Sequence, residues 1–251
     1  MAPWPVIAAA GVGLGALSGL FGVGGSALAT PLLSLLGLPG LIAVASPLPA
    51  TIPTAIAAVI PYLRRGEARP KAAAWTLLGA VPASILGALL SGDIGGTTLL
   101  VASGLVVAIV GWRVLQPIST GTQERGTARR HNRPLLVAVS AALGLLTGLL
   151  ANGGGFLLVP IYLLVFGLDM TQAAGTSLLV IIALSLPTTA THWALGHINW
   201  TVAAALTLGS VPASALTAHW AQSIDTATTR RAFGWLLITS GLLFTAYRLL
   251  Q

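Results

Sequence analysis

Apolar stretches separated by short polar connections fill almost the whole chain. Ten such segments can be distinguished, and they span residues 5–21, 26–38, 41–63, 72–91, 97–115, 135–151, 156–168, 171–195, 200–220 and 231–250. Most of them approach the roughly 20 residues that an α-helix needs to cross a bilayer. The pattern therefore predicts an all-α polytopic membrane protein, with no room for a separate soluble domain.

Glycine, proline and hydroxyl positions recur in the two halves of the chain. Three pairs of segments carry the repeat, namely 15–25 with 144–155, 45–48 with 175–178, and 81–84 with 211–214. The second and third pairs share one register, which differs from that of the first pair by a single inserted residue. Internal duplication with glycine-broken apolar segments at matching places is typical of secondary transporters. We predict a transmembrane repeat over residues 1–116, a cytoplasmic linker over 117–134 and a second transmembrane repeat over 135–251.

Two of the segments, 26–38 and 156–168, are too short to cross a hydrocarbon core of about 30 Å. Each of them follows a glycine cluster. Backbone broken at membrane depth is tolerated where it is buried in protein or lines a watery cavity. We therefore predict that each short segment and the helix before it form a re-entrant pair, with full spanning as the alternative.

The basic residues predict the orientation of the chain. All of the Lys and Arg residues except Arg248 lie in three connections, at 64–71, 113–133 and 230–231. Cytoplasmic loops collect such residues, so these connections are expected inside and the N-terminus outside. Each half then crosses the membrane three or five times. Because both counts are odd, the second repeat is inverted relative to the first.

Composition excludes several classes of protein. Only 7% of the residues are charged and 55% are hydrophobic, whereas soluble domains carry about 25% charged residues. The net charge of +7 lies in connections and in no recognisable nucleic-acid motif, so we expect no nucleic-acid partner. The chain has no cysteine, which excludes thiolate chemistry, and we expect neither a metal nor another cofactor.

The acidic residues all fall in predicted connections, at Glu67, Asp93, Glu124, Asp169 and Asp225. A carboxylate within the membrane marks a cation or proton path in many transporters. Its absence argues against a cation antiporter of that type and favours an anion or a neutral polar solute. No nucleophile–base pair is evident, so the chain is not expected to be an enzyme. A membrane protein that only binds a partner is a further alternative.

The glycine clusters predict a substrate site. A helix that begins after such a cluster directs unpaired N–H groups and a partial positive charge at the break. Two such ends that meet near mid-membrane would bind an anion without a formal charge. The residues expected to form this site are Gly22, Gly24, Gly25, Ser26, Asn152, Gly153, Gly154 and Gly155. Close helix packing is the other explanation for these glycines.

Hydroxyl and imidazole groups near the breaks are further candidates for substrate binding. Ser46, Thr176 and Ser177 stand where two later segments open, so they are expected either to contact substrate or to cap helices. Thr51 and Thr54 are expected to bond backbone carbonyls beside prolines. His192 lies near the outer end of a segment, where it can serve transport or a polar–aromatic belt.

The repeat consists of the doubled glycine motifs, the Ala-Ser-Pro-Leu and Gly-Thr-Ser-Leu that follow them, and the paired Val-Pro-Ala-Ser. With these motifs the chain resembles the TauE/SafE family of sulfite and organosulfur exporters. The resemblance implies a prokaryotic plasma-membrane protein that moves a small sulfur-containing anion. We predict an exporter of sulfite or a small organosulfonate that works by alternating access around a mid-membrane site. Coupling to protons is compatible with this prediction. A channel or facilitator for a neutral or weak-acid solute is the alternative.

Overall fold

The computed structural model is helical throughout the part of the chain that it describes. It describes residues 3–24, 29–30, 32–33, 36–38, 40–90, 105, 108–116, 133–150 and 155–249. The helices are α1 (Trp4–Phe21), α2 (Gly40–Ala45), α3 (Pro47–Arg64), α4 (Pro70–Leu90), α5 (Arg133–Leu150), α6 (Gly155–Leu164), α7 (Met170–Ala194), α8 (Trp200–Ala221) and α9 (Thr226–Leu249). Residues 108–115 are helical as well. The predicted all-α class is confirmed.

Three helices of the described chain, α1, α7 and α8, are long and apolar enough to cross a membrane. Large apolar side chains lie on the outer surface, and Leu208 and Leu243 are 68% and 71% exposed. Hydroxyls lie inside, where Ser46, Thr176 and Ser177 are fully buried. An apolar exterior of this kind suits lipid rather than water.

Helix boundaries in the two halves follow the register of the sequence repeat. α1 begins at Trp4 and α5 at Arg133, two positions that share the register of Gly15 with Gly144. α4 begins at Pro70 and α8 at Trp200, which share the register of the later motifs. The turns after α3 and α7 also correspond, because the glycines there, at 66 and 196, adopt the left-handed φ values of 70° and 71°.

Small residues bring α1 against α8 and α5 against α4. A Cβ added at Gly15 would overlap the backbone of Ser210, and one added at Gly144 would overlap the backbone of Ala80. These two contacts are related by the repeat. Each interface therefore joins the first helix of one half to a helix of the other half, through the close approach that small residues permit in membranes.

Candidate functional site

The first glycine cluster ends α1. Gly22 caps the helix with φ of 70°, and its N–H donates to the carbonyl of Ser18. Gly24 follows with φ of 60°. An L-amino-acid side chain disfavours this conformation, and a Cβ at Gly22 would also overlap the backbone of Ala174. Glycine is thus required here by both conformation and space.

Residues 22–24, called the glycine break below, lie along α7 and reach the middle of that helix. Gly22 packs against Ala174, the fifth residue of α7. A Cβ at Gly24 would lie 2.9 Å from Cγ2 of Ile181, the twelfth of the 25 residues. The Ser177 hydroxyl donates to the Gly22 carbonyl at 2.6 Å. Three of the predicted site residues, Gly22, Gly24 and Ser177, are therefore brought together.

The second glycine cluster is described only at its last residue. Gly155 is the first residue of α6, a helix of ten residues. The described helix thus begins at the last glycine of the cluster, and its length is about 15 Å at 1.5 Å per residue. Five of the predicted site residues lie outside the described residues, namely Gly25, Ser26, Asn152, Gly153 and Gly154.

Ser46 and Thr176 make matching hydrogen bonds at two different places. The Ser46 hydroxyl accepts from the backbone N–H of Asn199 at 3.0 Å, and the Thr176 hydroxyl accepts from that of Arg69 at 3.1 Å. Asn199 and Arg69 directly precede α8 and α4. Each hydroxyl thus holds the start of a helix in the other half of the chain.

The expectation that Thr176 and Ser177 cap a helix is wrong. α7 begins at Met170, and the carboxylate of Asp169 caps it by accepting from the N–H of Gln172. Ser46 does occupy the position before α3, but its side chain makes no capping bond. Aspartate caps a helix at least as well as threonine. Because Asp169 is the cap, Thr176 lies inside α7, about two turns after its first residue.

His192 lies apart from the glycine break. It is fifteen residues beyond Ser177 on α7, about 22 Å by the helical rise. Its Nδ1 is 3.4 Å from Nδ1 of His197, in the turn before α8. Nearby, Trp193 and Trp200 pack edge to face. The histidine thus belongs to a polar–aromatic cluster at the end of α7.

The sequence did not indicate the role of Tyr62. This side chain is fully buried near the end of α3, and its hydroxyl donates to the Gly19 carbonyl at 2.7 Å. Gly175 of α7 packs against its ring. Tyr62 therefore ties α3 to the last turn of α1, directly before the break. Its only sign in the sequence is that it aligns with His192 in the repeat.

The acidic residues that the structure describes lie in connections between helices, namely Glu67, Asp169 and Asp225. Asp93 and Glu124 lie outside the described residues. Within the described part of the chain, no group of three or more His, Asp or Glu side chains could hold a metal ion. Among the described residues, Gly22 contacts the backbone of Ala174 and the hydroxyl of Ser177, and Gly24 approaches the apolar side chain of Ile181.

Comparison with known proteins identifies the family. Residues 7–244 match the family described as "Sulfite exporter TauE/SafE". The "Probable membrane transporter protein YjnA" of Bacillus subtilis is 25% identical over 247 residues, 92% of this chain and 96% of its own. A "Probable membrane transporter protein" of Xylella fastidiosa (strain Temecula1) is 30% identical over 207 residues, 79% of this chain and 77% of its own. No solved structure matches the chain. The chain is therefore a multi-pass membrane protein of the TauE/SafE family, whose members are transporters and not enzymes.

Proposed function

We propose that the chain is a secondary transporter that exports a small sulfur-containing anion, such as sulfite or a small organosulfonate, across a prokaryotic plasma membrane. The observation that carries this proposal is the glycine break beside α7, where Gly24 approaches Ile181 near the middle of the helix. The family description, which names sulfite, supports the substrate class.

The architecture that we propose is a pair of inverted repeats over residues 1–116 and 135–251, joined by a cytoplasmic linker over 117–134. Three observations support it. Helix boundaries match between the halves, α1 and α5 each pack against a helix of the other half, and Ser46 and Thr176 make corresponding hydrogen bonds. The N-terminus is placed outside, because the basic connections are expected in the cytoplasm. Inverted repeats provide the two related conformations that alternating access requires.

The anion would bind between the two glycine breaks through backbone N–H groups and helix N-termini. Re-entrant chain at each break would expose these groups at membrane depth. Ser177 borders the first break through its bond to Gly22. His192 would meet the solute on its path at the other end of α7. The residues assigned to the site itself are Gly22, Gly24, Gly25, Ser26, Asn152, Gly153, Gly154 and Gly155, with Ser46 and Thr176 supporting the helices around it.

A channel or facilitator for a neutral or weak-acid solute is the second candidate. It is favoured by the position of Glu67, Asp169 and Asp225, all of which lie outside the helices. A passive pore needs no ionisable group to bind a coupling ion. Flux that rises linearly with solute concentration and ignores any imposed gradient would identify this function.

Flux measurements in proteoliposomes test the proposal. Labelled sulfite, a small sulfonate and thiosulfate are compared with sulfate and a neutral solute, with and without a proton gradient. We expect saturable flux of one sulfur anion, lost in Gly24→Leu and kept in Gly13→Leu, because a Cβ at Gly13 meets no atom within 4 Å. Absence of sulfur-anion flux under every gradient would overturn the proposed substrate, and normal flux in Gly24→Leu would overturn the proposed site.

A further inference from the structure

Two hydroxyls of α7 are buried without a hydrogen-bond partner in the described part of the protein. They belong to Ser185 and Thr189, one helical turn apart, and Ser185 is only 1% exposed. The hydroxyls of Thr188 and Thr191 on the same helix each donate to the carbonyl one turn earlier, at 2.9 and 3.0 Å. Serine and threonine within helices commonly satisfy their hydroxyls in this way, so the two that do not require an explanation.

The free hydroxyls continue the face of α7 that meets the glycine break. The break contacts this helix at Ala174 and Ile181. Ser185 lies eleven positions beyond Ala174 and four beyond Ile181. At about 100° per residue, these three residues fall within about 40° of one another around the helix axis. The face that holds the break therefore leads directly to the first free hydroxyl.

The same face leads on to the end of the helix. By the helical rise, Ser185, Thr189 and His192 lie about 6, 12 and 16.5 Å beyond Ile181. The two hydroxyls thus span the distance between the break, where the anion is proposed to bind, and the histidine that is proposed to meet it on its path. Ser185, Thr189 and His192 are called the polar row below.

A hydroxyl whose proton is unused can donate to an anion. We propose that the polar row is the solute path between the glycine break and the outer end of α7, with Ser185 and Thr189 donating to the oxygens of a sulfur oxyanion. The proposal rests on the proposed function. Hydrogen bonds to a charged acceptor are stronger than neutral ones. Since α7 contains neither Lys nor Arg, the row would guide the anion without holding it as an ion pair would.

The corresponding positions of α3 offer no free hydroxyl. In the repeat, the three residues of the polar row align with Ala55, Val59 and Tyr62, all of which are buried. The Tyr62 hydroxyl is used in its bond to the Gly19 carbonyl. The polar row therefore occurs once, on the side that the proposed topology places outside the cell. An exporter releases its solute on that side.

α7 can bend between the two hydroxyls. Pro187 lies inside the helix between Ser185 and Thr189. A proline has no N–H to donate to the carbonyl four residues earlier, and helices bend at such positions. Movement of the end of α7 about Pro187 would open the polar row toward the outside.

Cysteine accessibility tests the polar row without assuming any substrate. The chain has no cysteine, so Ser185→Cys and Thr189→Cys each provide a single thiol. Intact cells are treated with 2-sulfonatoethyl methanethiosulfonate, an anion that carries a sulfonate, or with its trimethylammonium analogue. Each rate is divided by the rate of the same reagent with a free thiol in solution. We expect both variants to react, and the anion to be favoured about tenfold, the effect of roughly one hydrogen bond to a charged group.

The control for labelling is Leu186→Cys, next to Ser185 on α7. Leu186 is 55% exposed on the apolar outer surface. These reagents attack the thiolate, which does not form in lipid, so this variant should stay unlabelled.

Flux measurements separate a role in the path from a role in packing. Ser185→Ala and Thr189→Val should raise the solute concentration that gives half-maximal flux about tenfold each. Neither should lower the melting temperature in detergent, because the lost hydroxyl has no partner in the protein. The matched control is Thr191→Val, which should keep wild-type flux, since the exposed Thr191 hydroxyl is bonded to the carbonyl of Pro187.

The outcomes distinguish this proposal from the proposed function. Two unreactive cysteines, or no preference for the anionic reagent, would overturn the polar row even in a protein that transports a sulfur anion. Selective labelling of both cysteines in a protein that moves no sulfur anion would uphold the row as an anion path and overturn the proposed substrate.

Discussion

α8 packs against α1 and α3, and α4, its counterpart in the repeat, packs against α5 and α7. The backbone contacts are the same in both, since Gly15 meets Ser210 as Gly144 meets Ala80. The side chains between the helices differ. The first interface contains a small cavity of about 20 Å³ that is bordered by apolar side chains and by the hydroxyl residues Thr51, Thr54 and Ser210. The residues that align with Thr51 and Thr54 in the second half, Ile181 and Leu184, are buried in an apolar cluster.

Two hydroxyls beside the second interface bond each other. The Tyr162 hydroxyl of α6 donates to that of Thr76 on α4 at 2.8 Å, and both side chains are buried. Thr76 aligns with Leu206, which lines the cavity of the first interface. The two halves thus share a common helical framework, and they differ in the side chains at these aligned positions, which are hydroxyl-bearing beside the cavity and apolar in the second half.

The largest expected effect comes from the contacts that the two halves share. Gly15→Leu and Gly144→Leu should each destabilise the protein by at least about 3 kcal/mol, because the new side chain would force α1 from α8 or α5 from α4. Thermal unfolding in detergent would measure both, with Gly13→Leu as the harmless control. If either variant melted like the control, the close packing of that interface would be refuted.

An intermediate effect should separate the two interfaces. Leu184→Ala removes a buried side chain from the apolar cluster of the second half and should cost roughly 2–3 kcal/mol through the cavity it leaves. Thr54→Val, at the corresponding position, keeps the shape and loses hydrogen bonds, so about 1 kcal/mol is expected. Melting temperatures of the two variants in the same detergent provide the comparison. Equal losses would mean that the two interfaces are packed alike.

The smallest effect should be the same in both halves. Ser46→Ala and Thr176→Val each remove the acceptor of one backbone N–H, that of Asn199 or Arg69. Each change should cost about 1 kcal/mol, the net value of a typical hydrogen bond. Urea unfolding in mixed micelles would measure the two costs. A much larger loss for one of them would show that its hydroxyl has a further role.

The repeat allowed much of the framework to be predicted from the sequence. Gly66 and Gly196 share the register of the later motifs, and both adopt a left-handed φ in the turns after α3 and α7. The proximity of prolines predicted that Thr51 and Thr54 bond backbone carbonyls, and they do. These features are local, so the amino-acid pattern is enough to predict them.

The contacts between distant parts of the chain could not be predicted in this way. Thr54 and Ser210 lie in different halves of the chain, and nothing in either local pattern marks them as partners. The start of α7 was predicted to within one residue, but the capping role was given to Thr176 and Ser177, whereas Asp169 caps the helix. His192 likewise stood out as an isolated histidine, and its pairing with His197 depends on the turn after α7.

The inversion of the two halves is the central claim, and cysteine labelling tests it most directly. The chain has no cysteine of its own, so single substitutions give unambiguous signals. Arg65 and Leu195 cap the ends of α3 and α7, correspond to each other in the repeat and are both exposed. A membrane-impermeant thiol reagent applied to intact cells should label Leu195→Cys, and it should label Arg65→Cys only after the cells are opened. Labelling of both residues from the same side would contradict the inverted arrangement.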